Sequence, residues 1–162
     1  MTRSLSVRAT GTSMGPLIRH DACLRLVPAA AVGRGDIIVF CHEGSMIVHR
    51  VIDRWHQNGL WEFLTKGDAM PRHDGLVCQD ALLGKVVGIC RRDGSHLRLT
   101  TWPWSTAGKA IAALGQLEHR LYGLACPQGI PGTGTIGRLF RSATRAIVAV
   151  AQLCSGAWRQ GG

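Results

Sequence analysis

The chain has 162 residues, the size of one ordinary domain, and 46% of them are apolar while 18% are charged. That balance excludes a disordered chain and leaves material for a core of normal size. Lys plus Arg number 19 against 10 Asp plus Glu, for a formal net charge of +9, and the 21 glycines show no three-residue period, which excludes collagen.

Residues 4–10 alternate, with Leu5 and Val7 against Ser6 and Arg8, which predicts a short strand that Gly11 breaks. Residues 24–27 form a second apolar run, closed by Pro28. Residues 37–41 are apolar and β-branched and follow the turn-like Gly33-Arg34-Gly35-Asp36. A strand over 46–52 comes next, joined to the previous one through His42-Glu43-Gly44-Ser45 as a hairpin. Asn58-Gly59 marks another hairpin ahead of a strand over 60–65. Residues 82–90 read as a further strand, and 97–101 as its partner across Asp93-Gly94. Residues 1–101 are therefore mainly β.

The remainder differs. Ile111, Leu114, Leu117, Leu121 and Leu124 recur at helical spacing and predict a helix over 106–124. Residues 126–137 are rich in Gly and Pro and read as a loop. A second helix is expected over 139–158, with Arg138, Arg141 and Arg145 near its start. Residues 101–162 hold six basic side chains and one acid, Glu118. This basic extension, 102–162, either packs on the β part or meets an anionic membrane surface. Trp102-Pro103-Trp104 at its start reads as packing, or as an interfacial anchor.

No apolar h-region follows Met1 and no apolar run reaches about 18 residues, so neither a secretory signal nor a membrane span is expected. A cytoplasmic or peripheral-membrane location follows as an expectation. The six cysteines, at 23, 41, 78, 90, 126 and 154, contain no Cys-x-x-Cys and no zinc spacing, and they read as reduced thiols. His20, His42, His56, His73, His96 and His119 are scattered and read as surface residues. No metal, cofactor or nucleic-acid partner is expected.

Three segments hold chemistry-bearing residues. In Gly11-Thr12-Ser13-Met14-Gly15-Pro16 a serine stands just past a strand on a turn. In Ile47-Val48-His49-Arg50-Val51-Ile52 a histidine, with an unperturbed pKa near neutrality, lies inside an apolar strand. Lys66-Gly67-Asp68 and His73-Asp74 supply carboxylates able to orient an imidazole. Taken singly, each segment reads as an ordinary turn, core or cap feature.

As an ordered set they resemble the S24/S26 serine peptidases, which include type I signal peptidases and the self-cleaving LexA-type repressors. Ser13-Met14-Gly15-Pro16 is similar to the nucleophile box, Ser-Met-x-Pro. Gly35-Asp36 with the apolar residues after it resembles the next strand, and His49-Arg50-Val51 fills the box of the catalytic base. Gly67-Asp68 with Asp74 resembles the Gly-Asp-x5-Asp box, and Gly84-Lys85-Val86-Val87-Gly88 resembles the closing strand. The resemblance covers residues 7–90. It implies a signal peptidase/LexA-like β fold with Ser13 as nucleophile, His49 as base, and Asp74, or else Asp68, as orienter.

A histidine base places the resemblance with the endoplasmic-reticulum type rather than the lysine-base enzymes, and Lys66 does not match the lysine position. The sequence departs from the family in two ways. The twelve residues before Ser13 are too few for the membrane span that usually stands there, and Gly11 stands where many members carry a serine that serves the oxyanion hole. That role falls to the Ser13 N–H, with Thr12 or another donor. The expected activity is therefore that of a serine endopeptidase cleaving a leader or signal segment from a peptide or protein. The alternatives are a LexA-like self-cleaving protein and a non-catalytic basic binding module.

Overall fold

The computed structural model describes residues 5–125 and 135–157. In chain order these form β1 (Leu5–Arg8), β2 (Cys23–Val27), β3 (Ile37–His42), β4 (Ser45–Gln57), β5 (Leu60–Lys66), β6 (His73–Cys78), β7 (Leu82–Cys90), β8 (His96–Arg98), α1 (Trp104–Ala125) and α2 (Thr135–Ala157). The strands make one curled antiparallel sheet in the order β1-β2-β7-β3-β4-β5-β6, with β8 beside β7. The expected mainly β fold with a helical C-terminal part is what forms. Both expected hairpins close on two-residue turns with positive φ, Glu43-Gly44 and Asn58-Gly59, the geometry that matches the twist of the flanking strands.

Several boundaries differ from expectation. β4 continues past Ile52 to Gln57, although residues 53–57 lack apolar alternation. A bulge between Val51 and Asp53 carries the pairing with β5 onward. There Trp61 receives Arg54 over its ring at 4.6 Å and His56 against it at 4.9 Å. β6 was not expected as a strand, because His73-Asp74-Gly75 has turn composition; pairing with β5 overrides that propensity. β8 begins and ends earlier than the expected 97–101. Thr135–Gly137, read as loop, open α2. The rest of that loop, 126–134, and the expected helix end at Trp158 lie outside the described residues.

The buried residues fall into two clusters. One joins Met14, Leu17 and Ile18, strand residues such as Leu24, Val39, Val86 and Ile89, and Trp104, Ile111, Val148 and Ala151 from the helices. The other fills the sheet's opposite side with Ile38, Phe40, Val51, Phe63 and Val77. The helices thus share the core of the strands; each fully buried Val, Leu, Ile, Phe or Met side chain in it contributes about 1.5–3 kcal/mol. Trp104 packs as expected, while Trp102 is 61% exposed.

Close backbone approach lets α1 dock. Gly35, at φ +89°, and Gly108 of α1 meet so tightly that a Cβ on Gly35 would fall 2.6 Å from the Gly108 carbonyl carbon. On the next turns of the helix Gly115 fits over Ile52, and Gln116 Nε2 donates to Asp53 at 2.7 Å. The five described cysteines are free thiols, including Cys23 and Cys90, which face each other in the β2–β7 register.

Candidate active site

Ser13 sits on the turn that follows β1. Met14, Leu17 and Ile18, each no more than 3% exposed, anchor this turn in the core. The Ile18 N–H donates to the Met14 carbonyl and the Gly15 N–H to the Thr12 carbonyl. With the apolar residues directed inward, Ser13 is left half-buried at the surface, and Gly11 and Thr12 are exposed beside it. The Ala69 N–H donates to the Ser13 carbonyl at 2.8 Å, so the loop after β5 is tied to the serine turn.

His49 lies in the middle of β4, opposite Ile38 of β3. Alternation puts it on the face of Ile47 and Val51, with the Phe40 ring edge-on at 6.4 Å. Its side chain is 9% exposed. The Nδ1 atom is 2.5 Å from Asp74 Oδ2 and Nε2 is 3.1 Å from Ser13 Oγ. An ionised carboxylate only accepts, so Nδ1 carries the proton and Nε2 is free to accept from the Ser13 hydroxyl. The Thr65 hydroxyl donates to the same Asp74 oxygen at 2.6 Å. Thr65 is fully buried, so this hydrogen bond ties the carboxylate to the sheet.

Asp74, the first choice as orienter, therefore meets His49. Asp68, the second choice, does not: Arg50 Nε and Nη2 grip its two oxygens at 2.8 and 2.6 Å. The reason is strand alternation. Arg50 follows His49 and points to the opposite face, towards α1, where its Nη1 also donates to the Gly35 carbonyl at 2.8 Å. Asp68 belongs to that structural ion pair, whose two side chains are 3% and 1% exposed.

Gly67 closes the site from the loop side. A Cβ there would stand 2.8 Å from the Ser13 carbonyl oxygen and 2.9 Å from His49 Nε2. Neither the Thr65 contact nor the Arg50 fork has a spacing signature in the sequence. The Gly67 constraint was visible only as part of a Gly-Asp pair.

Helix α1 reaches the same region. Its Glu118, 3% exposed, forms an ion pair with Lys66, the residue before Gly67. One position on, His119 Nδ1 lies 2.6 Å from His73 Nε2, the residue before Asp74. Those two histidines were expected as separate surface residues, and the docking of α1 brings them together. Burial, then the neighbouring His119, pushes the His73 imidazole below its ordinary pKa of 6.5.

Among the described residues no His, Cys, Asp and Glu cluster is arranged to hold a metal ion. What the arrangement can do is deliver an activated serine hydroxyl to an electrophile at the surface. No protein-family model matches the chain, and no curated protein matches it.

Proposed function

We propose that this chain is a serine endopeptidase of signal-peptidase type, resembling the S24/S26 group, that removes a leader or signal segment from a peptide or protein. The observation that carries the reading is the two-sided placement of His49, 3.1 Å from Ser13 Oγ through Nε2 and 2.5 Å from Asp74 through Nδ1. Nucleophile, base and orienter within hydrogen-bond reach is the arrangement that nucleophilic catalysis by serine needs.

The steps follow from the atoms present. Ser13 Oγ attacks the scissile carbonyl while His49 Nε2 takes its proton. Asp74, steadied by Thr65, holds the imidazole in the Nδ1–H form and stabilises the imidazolium. The Ser13 N–H, on an exposed turn, is the first candidate donor to the oxyanion, with Thr12 next to it. The imidazolium protonates the leaving amine as the carbon–nitrogen bond breaks. Water then attacks the acyl-serine with His49 again as base, and the serine is regenerated.

Edge strands favour an extended peptide as substrate. β1, which leads to Ser13, and β6, which carries Asp74, are the two ends of the strand order. A peptide adding to either edge gains main-chain hydrogen bonds without a deep pocket.

Labelling with a fluorophosphonate probe, alongside cleavage of a peptide library, tests the reading. The wild-type chain should be labelled on Ser13 and cleave, and Ser13→Ala should do neither. Equal cleavage by the two proteins would overturn the assignment.

A further inference from the structure

We infer that the outward face of α2 is a docking surface for an anionic lipid membrane. The helix has 23 residues and spans about 34 Å at 1.5 Å per residue. Gly137, Thr144, Val148 and Ala151 form its buried line. Successive residues turn by about 100° around the axis, so Leu139, Val150 and Leu153 fall together on the side away from that line, and Ile136 lies at the edge of that side. In that order they are 65%, 58%, 76% and 46% exposed, and the exposed Ala146 lies among them. Four large apolar side chains bare along one helix are not the scattered surface leucines of an ordinary soluble face.

Charge selects the occupant. α2 contains Arg138, Arg141 and Arg145 and no acidic residue. Arg138 and Arg145 are exposed and flank the apolar line on one side. A second copy of the chain would bring the same arginines against one another. A nucleic acid would satisfy the arginines and leave the apolar line in water. An anionic bilayer surface takes both, with the apolar line in the acyl boundary and the guanidinium groups among headgroup phosphates. Among the described residues no helix is long and apolar enough to cross a membrane, so the helix lies on the surface.

Co-sedimentation of the full chain with vesicles tests this. One set of vesicles contains equal parts phosphatidylglycerol and phosphatidylcholine; the other is phosphatidylcholine alone. Binding should occur to the anionic vesicles at low salt, fall as salt rises, and be weak on the neutral ones. Arg138→Gln with Arg145→Gln should weaken it about thirtyfold, at about 1 kcal/mol per basic residue. Leu139→Ser with Leu153→Ser, both at exposed positions, should weaken it by roughly tenfold or more without changing the circular dichroism. Ser13→Ala should bind like wild type, so failure of the peptidase reading leaves this one standing. The proposal is overturned if wild type does not bind, or if the leucine variant binds equally well. It is also overturned by a dimer that Leu139→Ser with Leu153→Ser dissociates, which assigns the face to a second copy. Binding to duplex DNA without binding to vesicles overturns it too.

Discussion

Arg50 holds Asp68 through a two-point ion pair at 2.8 and 2.6 Å, with both side chains nearly sealed from solvent. One residue earlier in the chain, His49 uses the opposite face of the same strand to meet Asp74 and Ser13. The two aspartates of one sequence box thus do separate work. Asp68 ties the loop after β5 to the strand beneath it, and Asp74 meets the imidazole that the proposed mechanism uses as base.

Removing Asp68 should therefore cost stability. Among the described residues, Asp68→Ala leaves the buried Arg50 guanidinium the Gly35 carbonyl as its remaining partner, and loss of one member of a buried pair costs about 3–5 kcal/mol. Urea unfolding followed by circular dichroism would read this as a lower midpoint. A variant as stable as wild type would remove the structural role assigned to the pair.

Asp74→Asn should behave in the opposite way. At that position the side chain is 30% exposed, so the fold should persist. The amide would favour the wrong imidazole tautomer, and a loss of kcat of roughly 10⁴-fold is expected. The comparison to make is peptide cleavage against unfolding midpoint for both aspartate variants. If Asp68→Asn loses kcat and Asp74→Asn does not, the roles are exchanged.

Thr65→Val keeps the shape at a fully buried site while deleting the hydroxyl that Asp74 accepts. A net hydrogen bond to a charged group is worth about 1.5–3 kcal/mol, part of which is recovered by solvent at the partly exposed carboxylate. A fall in kcat of roughly tenfold with KM unchanged is the expected result. An altered KM with intact kcat would mean that Thr65 acts on substrate binding.

Gly67→Ala probes the closeness of the loop to Ser13 and His49. The added methyl would press on Met70, which can move, but also on the Ser13 carbonyl oxygen and His49 Nε2, which cannot move without opening the serine–histidine contact. Fluorophosphonate labelling of Ser13 should drop by at least about tenfold, since small misplacements at a reacting centre are costly. Labelling at the wild-type rate would show that the loop relaxes freely.

The strands around Ser13 and His49 were legible because their apolar runs and turn dipeptides agree with the final pairing. Glu43-Gly44 and Asn58-Gly59 are local signals that tertiary contacts reinforce. β6 and the far half of β4 were not legible, because there the partner strand decides: His73-Asp74-Gly75 has turn composition, and residues 53–57 lack apolar alternation. The serine and histidine could be picked out by residue order. Position also ranked Asp74 ahead of Asp68, but the reason Asp68 is engaged elsewhere was not legible, since it depends on which face of β4 each neighbour of the histidine presents. The contacts of α1 with Lys66 and His73 cross some fifty residues of chain and leave no periodic trace.

The last of those contacts predicts a pH dependence. Burial, and next the charge of His119, lower the His73 pKa, Lys66 acts in the same direction, and Asp74 opposes them. The folded protein therefore resists protonation of His73 more than the unfolded chain does. This contribution to stability is intact above the ordinary value of 6.5. It is lost as pH falls through that value towards the lowered folded one, because the unfolded chain binds the proton first. In His119→Ala the neighbouring imidazole is gone and His73 is less covered, so its titration should move up towards the ordinary value. Imidazole proton shifts in NMR spectra across pH would follow this directly. Protonated His73 stands beside Asp74 and competes for its negative charge, so peptide cleavage by His119→Ala should fail at a higher pH than cleavage by wild type. An unmoved His73 titration would remove His119 as a cause. A moved titration with an unmoved activity limb would show that the histidine pair does not reach the triad.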